Sequence, residues 1–341
     1  MKKDKFWNKL LVFINTVLAI LLLLSYSLPY ISPKLSPGFT IVSLTIPLLF
    51  LLNIFFVIYW IVRLKIYFLL SFIIIIIGFS YLNSFYKFSG KKNFLNDDIK
   101  VMNYNVRMFN HYKWSLNDSI AEKAYKFIAE KNPDILTIQE FFEAENLKIS
   151  YPYSYIKTKS NIHKFGLAIY SNYKIINSGS LDLKNSANNI IFADIVKEKD
   201  TIRIYNIHLE SLKISSDKEN FGEKNSDKLI DRMKASFQKQ AIQVEQFLKH
   251  EKKWDGKKIV CGDLNNTAFS WVYQQVSKNK QDAFKIAGKG LGKTFNYSYP
   301  LRIDFILPDN NFEVNNFKTF KVQYSDHFPI LARINLRDKN K

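Results

Sequence analysis

Long apolar stretches alternate with short polar or basic breaks over the first 86 residues of the chain. Three stretches without any charged residue cover residues 10–33, 35–62 and 66–86. Each reaches the roughly 20 residues that a helix needs to cross the hydrocarbon core of a bilayer. Three such stretches in succession have no explanation in a soluble domain, so the pattern predicts three transmembrane helices. We place them at about 10–31, 39–62 and 66–86, within a membrane anchor formed by residues 1–86.

The basic residues around these stretches predict how the anchor is oriented. Four lysines lie within residues 2–9, and Arg63 and Lys65 separate the second stretch from the third, whereas only Lys34 lies between the first two. Because basic loops stay in the cytoplasm, we expect a cytoplasmic amino terminus and, after three spans, an extracytoplasmic carboxyl-terminal part. The predicted protein is therefore a multi-pass protein of the cell (inner) membrane. A cleaved signal peptide would explain the first stretch but not the other two.

The pattern changes after the third stretch. Residues 87–97 are polar, basic and contain a glycine, which is typical of a juxtamembrane linker. From there to residue 338, short apolar segments alternate with amphipathic ones, and several of the short segments are nearly continuous apolar runs, as in strands covered on both faces. The predicted strands are 99–106, 134–141, 166–171, 189–196, 202–209, 257–264, 302–307 and 327–334. We expect one α/β domain over 98–338, with two sheets packed face to face and helices outside.

Two helices and one loop complete the prediction for this domain. Ser119 and Glu122 have the spacing of a capping box, which predicts a helix that ends before Pro133. A second helix is expected over about 227–249, where apolar residues recur at helical spacing. The polar stretch 213–227 between β-rich and helical segments predicts a surface loop.

Composition restricts the chemistry only partly. Of 341 residues, 49 are Lys or Arg and 30 are Asp or Glu, and the net charge of +19 suits an anionic partner such as nucleic acid, acidic lipid or a phosphorylated substrate. Cys261 is the sole cysteine, which excludes an internal disulfide, a multi-cysteine zinc site and an iron–sulfur cluster. The apolar fraction of 47% excludes wholesale disorder.

Polar residues gather where the predicted strands end. They are Asn105, Glu140, His208, Asp263, Asn265, Asp304, Asp326 and His327. If the strands lie side by side, these groups meet at one edge, where a carboxylate such as Glu140 can bind a hard cation and a His with an Asp can hold and deprotonate a water. Each residue also has a purely structural explanation, as a solvated strand end, a turn residue or a cap. Asp304 fits that explanation least, because an acid inside the run RIDFIL needs a partner.

The order of the motifs YNVR, IQE, GLAIYS, NIHLE, GDLNN, RIDFIL and SDHFPI over residues 99–334 resembles the endonuclease/exonuclease/phosphatase superfamily, here as a membrane-anchored bacterial member. The resemblance implies a four-layered α/β sandwich with a divalent-metal site, for Mg²⁺ or Mn²⁺, at one edge. It implies that Asn105 and Glu140 lie near the metal and that Asp326 lies beside it.

The same resemblance implies roles for the remaining residues. Asp263 would orient or deprotonate the attacking water, Asn265 would contact phosphate, and Asp304 would orient His327. His208 matches the NxHL motif of the deoxyribonuclease and sphingomyelinase branches. Arg107 stands where DNA-repair members commonly carry an Asp, which argues against DNA repair.

The predicted function is that of a membrane-anchored, Mg²⁺-dependent phosphoesterase in which water attacks the phosphorus of a phosphodiester. A nuclease-like or general phosphodiesterase suits the basic domain, and a phospholipid or sphingomyelin phosphodiesterase suits the anchor. A non-catalytic binding domain that keeps the fold is a further alternative. The predicted partners are a phosphoester substrate, either nucleic acid or a phospholipid head group, and the lipid bilayer, with no obligate protein partner.

Overall fold

The computed structural model describes residues 2–143, 148–159, 164–212 and 226–337. The α-helices in these ranges are α1 (Lys2–Ser25), α2 (Pro37–Ser43), α3 (Ile46–Val62), α4 (Phe68–Ile77), α5 (Phe79–Phe85), α6 (Ile120–Lys131), α7 (Ser226–Glu251), α8 (Trp271–Val276) and α9 (Ala283–Ala287). Two short 3-10 segments cover Leu28–Tyr30 and Arg107–Asn110.

The strands in the same ranges are β1 (Tyr86–Lys87), β2 (Ile99–Asn105), β3 (Ile135–Phe142), β4 (Tyr153–Thr158), β5 (Phe165–Ser171), β6 (Lys174–Ser180), β7 (Ile190–Lys197), β8 (Asp200–His208), β9 (Lys257–Asp263), β10 (Gly290–Leu291), β11 (Asp304–Pro308), β12 (Phe312–Thr319) and β13 (Ile330–Leu336).

The anchor region is helical, but it is not three uninterrupted spans. Within the described residues, one continuous segment, Lys5–Tyr30, is long and apolar enough to cross a membrane. The helices α2 and α3 meet at 47°, and α4 and α5 meet at 75°. The prediction of three continuous transmembrane helices is therefore wrong in this respect, because hydropathy records apolar length and not the positions where a helix restarts.

Local chemistry explains both breaks. Pro47 lies in the first turn of α3, where its missing N–H costs no hydrogen bond, so the helix begins anew there. Gly78 separates α4 from α5, and a Cβ at this position would lie 2.0 Å from Oη of Tyr26. Tyr26 uses that hydroxyl to donate to the carbonyl of Ile74 at 2.9 Å, so the close approach of the ring requires glycine.

Two mixed sheets form the centre of the following domain, as predicted. Among the described residues, one sheet has five strands in the order β11-β9-β8-β7-β6, and the other has six in the order β12-β13-β2-β3-β5-β4. Each contains a parallel pair, β8 with β9 and β2 with β3, and the other neighbours are antiparallel.

The sheets pack face to face, and helices cover their outer faces. Side chains such as Val101 and Ile135 from one sheet and Ile204 and Cys261 from the other belong to a single buried cluster. On the outer faces, α6 covers the six-stranded sheet through Phe127 and its neighbours, while α7 and α8 cover the five-stranded sheet. The result is four layers, helix on sheet on sheet on helix, with both sheets shielded from water.

Three longer strands, β4, β6 and β12, were not among those predicted. Each is the outermost strand of its sheet. An edge strand is less fully covered than a central one, so polar residues interrupt its apolar pattern, and β6 (KIINSGS) is an example with several exposed positions. The apolar run that predicts a strand is therefore interrupted in these three edge strands, whereas β11, the other edge strand, is fully buried and was predicted.

The helix after Ser119 begins at Ile120, but the side chain of Ser119 makes no capping hydrogen bond; its hydroxyl donates instead to Oδ1 of Asn117 at 2.7 Å. The predicted capping box is therefore wrong, although the helix is present. Most of the predicted surface loop 213–227 lies outside the described residues, and α7 begins at Ser226.

The amino-terminal helices α1–α5, which form the predicted anchor, and the α/β domain are in direct contact. Phe269, from the loop after β9, belongs to the same apolar cluster as residues of α1, α3 and α4, and its ring lies 6.5 Å from that of Tyr81. Along α7, Leu229, Met233 and Phe237 pack near Ile41 and Leu44. The anchor is therefore packed on the domain in addition to being joined to it by the linker.

Candidate active site

Strand register places three of the predicted site residues side by side in the five-stranded sheet. Asp263 ends β9, where it is paired with His208 of β8 on one side and with Asp304 of β11 on the other. All three side chains are buried. The motifs NIHLE, GDLNN and RIDFIL, far apart in sequence, thus supply neighbouring positions at one edge of a single sheet.

The six-stranded sheet supplies the opposite wall from Asn105 and Glu140. Asn105 ends β2, beside Gln139 of the parallel strand β3. Glu140 lies in an irregularity of β3, between Ile138 and Phe141, and has a φ of 50°. A bulge of this kind re-aims a side chain, and a positive φ at a non-glycine residue costs about 1–3 kcal/mol, which is characteristic of functional sites.

Asn105 connects the two walls. Its Nδ2 donates to Oε1 of Glu140 at 3.3 Å and to Oδ2 of Asp263 at 3.1 Å. Nε2 of His208 lies 3.7 Å from Oδ2 of Asp263 and 3.9 Å from Oε1 of Glu140. These contacts bring residues 105, 140, 208 and 263 into one cluster.

A buried amide network behind this cluster fixes the two sheets relative to each other. Nε2 of Gln139 donates to Oδ1 of Asn103 at 2.7 Å within its own sheet and to Oδ1 of Asn206 at 2.6 Å across the sheet interface. Asn206 in turn donates to the carbonyls of Ile138 and Ala168. Since Gln139 immediately precedes Glu140, this network holds the wall formed by Asn105 and Glu140 in place.

His327 and Asp304 form a second unit of the site. Nδ1 of His327 lies 2.9 Å from Oδ2 of Asp304, and its Nε2 lies 3.7 Å from Oδ2 of Asp263. The ring of Phe295 packs against the imidazole at 5.0 Å between ring centres. Burial acts to lower the pKa of His327, but the carboxylates of Asp304 and Asp263 outweigh it and raise that pKa above its ordinary value.

The acids and the second histidine of the cluster have shifted pKa values as well. Burial, followed by the nearby charge of Asp326, raises the pKa of Glu140. Burial is also the main cause of the raised pKa of Asp263. Burial, with the charge of His327, lowers the pKa of His208 to about 3, so its ring is neutral at physiological pH. The crowded carboxylates give the site a strong preference for added positive charge.

The donor set fits a hard divalent cation. Carboxylate oxygens dominate, and one ligand atom from each of Asp263, Asp304 and His327 lies within 4.8 Å of the others. Oδ1 of Asp304 is buried without a hydrogen-bond partner among the described residues. The side chain of Glu140 is 28% exposed, so a cation arriving from solvent can reach it. The group of possible metal ligands that lie closest together, Asp263, Asp304 and His327, is thus not the predicted set of Asn105, Glu140 and Asp326.

Two predicted residues have partners that the motifs did not indicate. Oδ2 of Asp326 lies 3.2 Å from Nη1 of Arg107 in an ion pair. Asn265 has a φ of 47°, its N–H donates to Oδ1 of Asp263 at 2.7 Å, and its Nδ2 donates to the carbonyl of Leu209 at 2.9 Å. In this arrangement Asn265 shapes the turn and positions Asp263. The amide oxygen of Asn105 accepts the N–H of Arg107, so only its NH₂ group faces the two carboxylates.

A cavity of about 380 Å³ extends from Glu140 and His208 and contains residues that the sequence analysis missed. Its lining includes Lys157, Lys159 and Asn188. Lys157 lies in β4, and Lys159 follows directly after the end of that strand. The two-residue spacing of these lysines was the only hint in the sequence that they lie together. It becomes informative only once β4 is known to be a strand beside the site.

Comparison with known proteins places this geometry in a family. Residues 102–327 match the profile of the Endonuclease/Exonuclease/phosphatase family, and residues 8–85 match that of a domain of unknown function. No curated protein sequence matches the chain.

Several solved structures share the fold. The endonuclease/exonuclease/phosphatase from Bacteroides vulgatus is 19% identical, with a TM-score of 0.53 over 70% of this chain and 99% of that one. D. rerio TDP2 complexed with single strand DNA product is 17% identical, with a TM-score of 0.53 over 70% of this chain and 100% of that one. The human Nocturnin catalytic domain with bound sulfate is 16% identical, with a TM-score of 0.51 over 71% and 96% of the two chains. At such identities these likenesses show the fold alone.

Proposed function

Because the chain belongs to the Endonuclease/Exonuclease/phosphatase family, we propose that it is a membrane-anchored, divalent-metal-dependent phosphodiesterase. The observation that carries this proposal is the set of polar side chains around the carboxylate of Asp263. Its carboxylate has Asn105 at 3.1 Å and both His208 and His327 at 3.7 Å. A buried carboxylate among groups that can bind phosphoryl oxygens and a cation suits attack of water on phosphorus.

Each residue has a proposed task in this reaction. The raised pKa of Asp263 makes its carboxylate a stronger base toward water. His327, held by Asp304 and protonated because of the raised pKa, neutralises charge on the phosphoryl oxygens, and His208 donates a hydrogen bond to them. Glu140, with Asn105 and Asp326 nearby, would hold Mg²⁺ or Mn²⁺, which supplies Lewis-acid polarisation of the phosphoryl group. Asn105 would have to turn its amide oxygen toward the cation to act as a ligand.

The test uses full-length protein in detergent with bis(p-nitrophenyl) phosphate as a water-soluble phosphodiester. We expect nitrophenol release that requires Mg²⁺ or Mn²⁺ and is abolished by chelation. Asp263→Asn should remove the activity, whereas the matched change Asp255→Asn, at an exposed position beyond α7, should leave it unchanged. Failure to hydrolyse any phosphodiester with either metal, with binding of the substrate retained, would favour the non-catalytic binding domain instead.

We also propose that the anchor crosses the membrane three times, with bent second and third spans. One buried polar residue from each predicted span supports this arrangement. Oγ of Ser71 lies 2.9 Å from Oδ1 of Asn15 and 2.8 Å from Oδ1 of Asn53, so the three spans are linked by a hydroxyl and two amides. Large apolar side chains such as Phe13, Phe55 and Ile77 are exposed on the outside of the bundle, as is typical of surfaces that face lipid.

The position of the domain on the bundle supports an extracytoplasmic site. The contacts with the domain come from residues near the carboxyl end of α1, from Ile41 and Leu44 in the first part of the second predicted span, and from the end of α5. Lys5, Arg63 and Lys65 lie at the opposite helix ends. Because basic residues mark the cytoplasmic side, we infer an extracytoplasmic domain over 98–338, joined to the anchor by the linker 87–97.

A further inference from the structure

The structure also bears on where the substrate comes from, an inference that rests on the proposed phosphodiesterase activity. We propose that the active-site cleft opens onto the surface of the bilayer that holds the anchor, and that residues 111–116, here called the rim loop, insert into that surface. The substrate is then a phosphodiester lipid head group and not a soluble nucleic acid.

The first observation is that the anchor packs on the catalytic edge of the sandwich. Leu212 follows β8, four residues after His208, and Phe269 follows β9, six residues after Asp263. Phe269 packs with residues of α1, α3 and α4. Leu212 packs on the same α7 residues as Ile41 and Leu44 of the anchor. Arg302, two residues before Asp304, donates to the carbonyl of Ser84 in α5 at 3.1 Å. The strand ends that carry the site are thus the ends nearest the membrane helices.

The second observation is the rim loop, at the same edge but on the opposite wall. It follows Asn105 of β2 and precedes α6. Leu116 is 99% exposed and Tyr112 is 64% exposed, and Lys113 lies between them. Single exposed apolar residues are common, but aliphatic, aromatic and basic side chains together at a cleft rim are typical of segments that sit at a membrane interface.

The rim loop is built to hold this exposed position. The side chain of Asn110 accepts the N–H of Ser115 at 3.0 Å and donates to the carbonyls of Ser115 and Asn117. Four consecutive residues, 107–110, have φ between 45° and 65°. Such left-handed conformations at non-glycine residues cost energy and are found where function requires a particular backbone path.

Arg107 connects the rim loop to the catalytic cleft. Its guanidinium lies 4.8 Å from the ring of Trp114 in the loop and 3.2 Å from Asp326 in the site. The anchor and the rim loop therefore stand on the two sides of one cleft. A bilayer that embeds the anchor meets the rim loop when the catalytic edge faces it. Lys159 at the cavity wall then attracts anionic head groups, whereas Lys157 is already paired with Asp182 at 3.2 Å.

The reaction at that surface is hydrolysis of one ester bond. The oxygen of water bonds to phosphorus, one P–O ester bond breaks, and the leaving oxygen takes up a proton. The products are an alcohol and a phosphomonoester, one of which stays in the bilayer.

A labelling experiment tests the position of the rim loop. Cys261 is buried, so Leu116→Cys offers a single accessible thiol for an environment-sensitive fluorophore. The full-length variant is placed in vesicles of phosphatidylcholine and phosphatidylglycerol, with and without brominated acyl chains. The control is Ile176→Cys, which is 55% exposed on β6, in the half of that strand distant from the catalytic edge. We expect quenching by brominated lipid at position 116 and not at position 176; equal or absent quenching at 116 would overturn the inference.

An activity comparison separates this inference from the proposed function. Leu116→Asp should lower hydrolysis of phosphatidylglycerol in those vesicles by about tenfold or more, because an interfacial leucine is replaced by a charge. Hydrolysis of bis(p-nitrophenyl) phosphate by the same variant should be unchanged, and Ile176→Asp should affect neither substrate. Activity on the soluble ester with none on the vesicles, or a preference for single-stranded DNA that ignores position 116, would refute the lipid substrate while leaving the phosphodiesterase in place.

Discussion

The imidazole of His327 and the carboxylate of Asp304 form a buried pair, with Nδ1 and Oδ2 2.9 Å apart. Asp304 is the first residue of β11, whereas His327 lies in the segment that leads into β13. Because the pair fixes the ring, the opposite nitrogen of His327 faces Asp263 at 3.7 Å. We therefore expect the carboxylate to position the ring and the imidazole to be the group that meets the phosphate.

This pairing predicts that the two residues act as one kinetic unit. His327→Ala and Asp304→Ala should each lower kcat strongly, and the double variant should be little slower than His327→Ala alone. Initial rates on bis(p-nitrophenyl) phosphate measure the comparison. Additive losses in the double variant would show that Asp304 has a separate role.

Glu140 should act through the metal. Glu140→Gln keeps the shape of the side chain but removes its charge, and a neutral amide is a weaker ligand for a hard cation. We expect a higher Mg²⁺ concentration for half-maximal rate, with partial recovery at high Mg²⁺. Metal titration by calorimetry on the same variant supplies a readout independent of turnover. Glu130→Gln, on the exposed face of α6, is the matched control and should titrate like the unmodified protein.

Asp263→Asn should separate catalysis from stability. If Asp263 deprotonates water, its loss should lower kcat by roughly 10² or more, without rescue by metal. The raised pKa of Asp263 means that its ionised form is less stable in the folded than in the unfolded chain, so ionisation lowers the free energy of unfolding above the unfolded-state pKa. In the presence of a chelator at neutral pH, the Asn variant should therefore melt at the same or a higher temperature. A lower melting temperature would contradict this interpretation.

The amide network between the sheets should contribute to stability. Gln139→Leu leaves the buried side-chain oxygen of Asn206 without its donor, while that of Asn103 keeps the hydroxyl of Thr137 at 2.9 Å. The loss should cost about 1–3 kcal/mol of unfolding free energy. Denaturant unfolding measures the loss. The control is Gln238→Leu, which changes an exposed side chain of α7 and should be nearly neutral.

The topology is tested by reporter fusions. Alkaline phosphatase joined after residue 341 should be active in cells, because this enzyme folds only outside the cytoplasm. Ahead of α1, a reporter that works only in the cytoplasm should be active and alkaline phosphatase should be inactive. The reverse result at either terminus would place the domain in the cytoplasm.

Much of the site was predictable from sequence for a physical reason. Central strands are covered on both faces, so they read as apolar runs, and a polar residue at the end of such a run, such as Asp263 or His208, stands out. Asp304 was conspicuous because an acid inside an apolar strand must have a partner, and the structure gives it His327.

Other features depended on the tertiary structure. The strands β4, β6 and β12 lack the apolar signal because polar residues at exposed or half-buried positions interrupt their apolar runs. The pairing of Arg107 with Asp326, the lysines of the cavity and the bends in the anchor depend on residues far apart in the chain or on local backbone geometry.

The sequence by itself determined which segments are apolar enough to be helices in lipid or strands in a core, and which polar residues end those strands, because burial selects residue type one segment at a time. Only the tertiary structure decided that Phe269 and Arg302 hold the sheet edge with Asp263 and Asp304 against the amino-terminal helices, and that Leu116 is exposed. Those relations depend on how whole sheets and helices pack against one another, and no periodicity within a single segment encodes them.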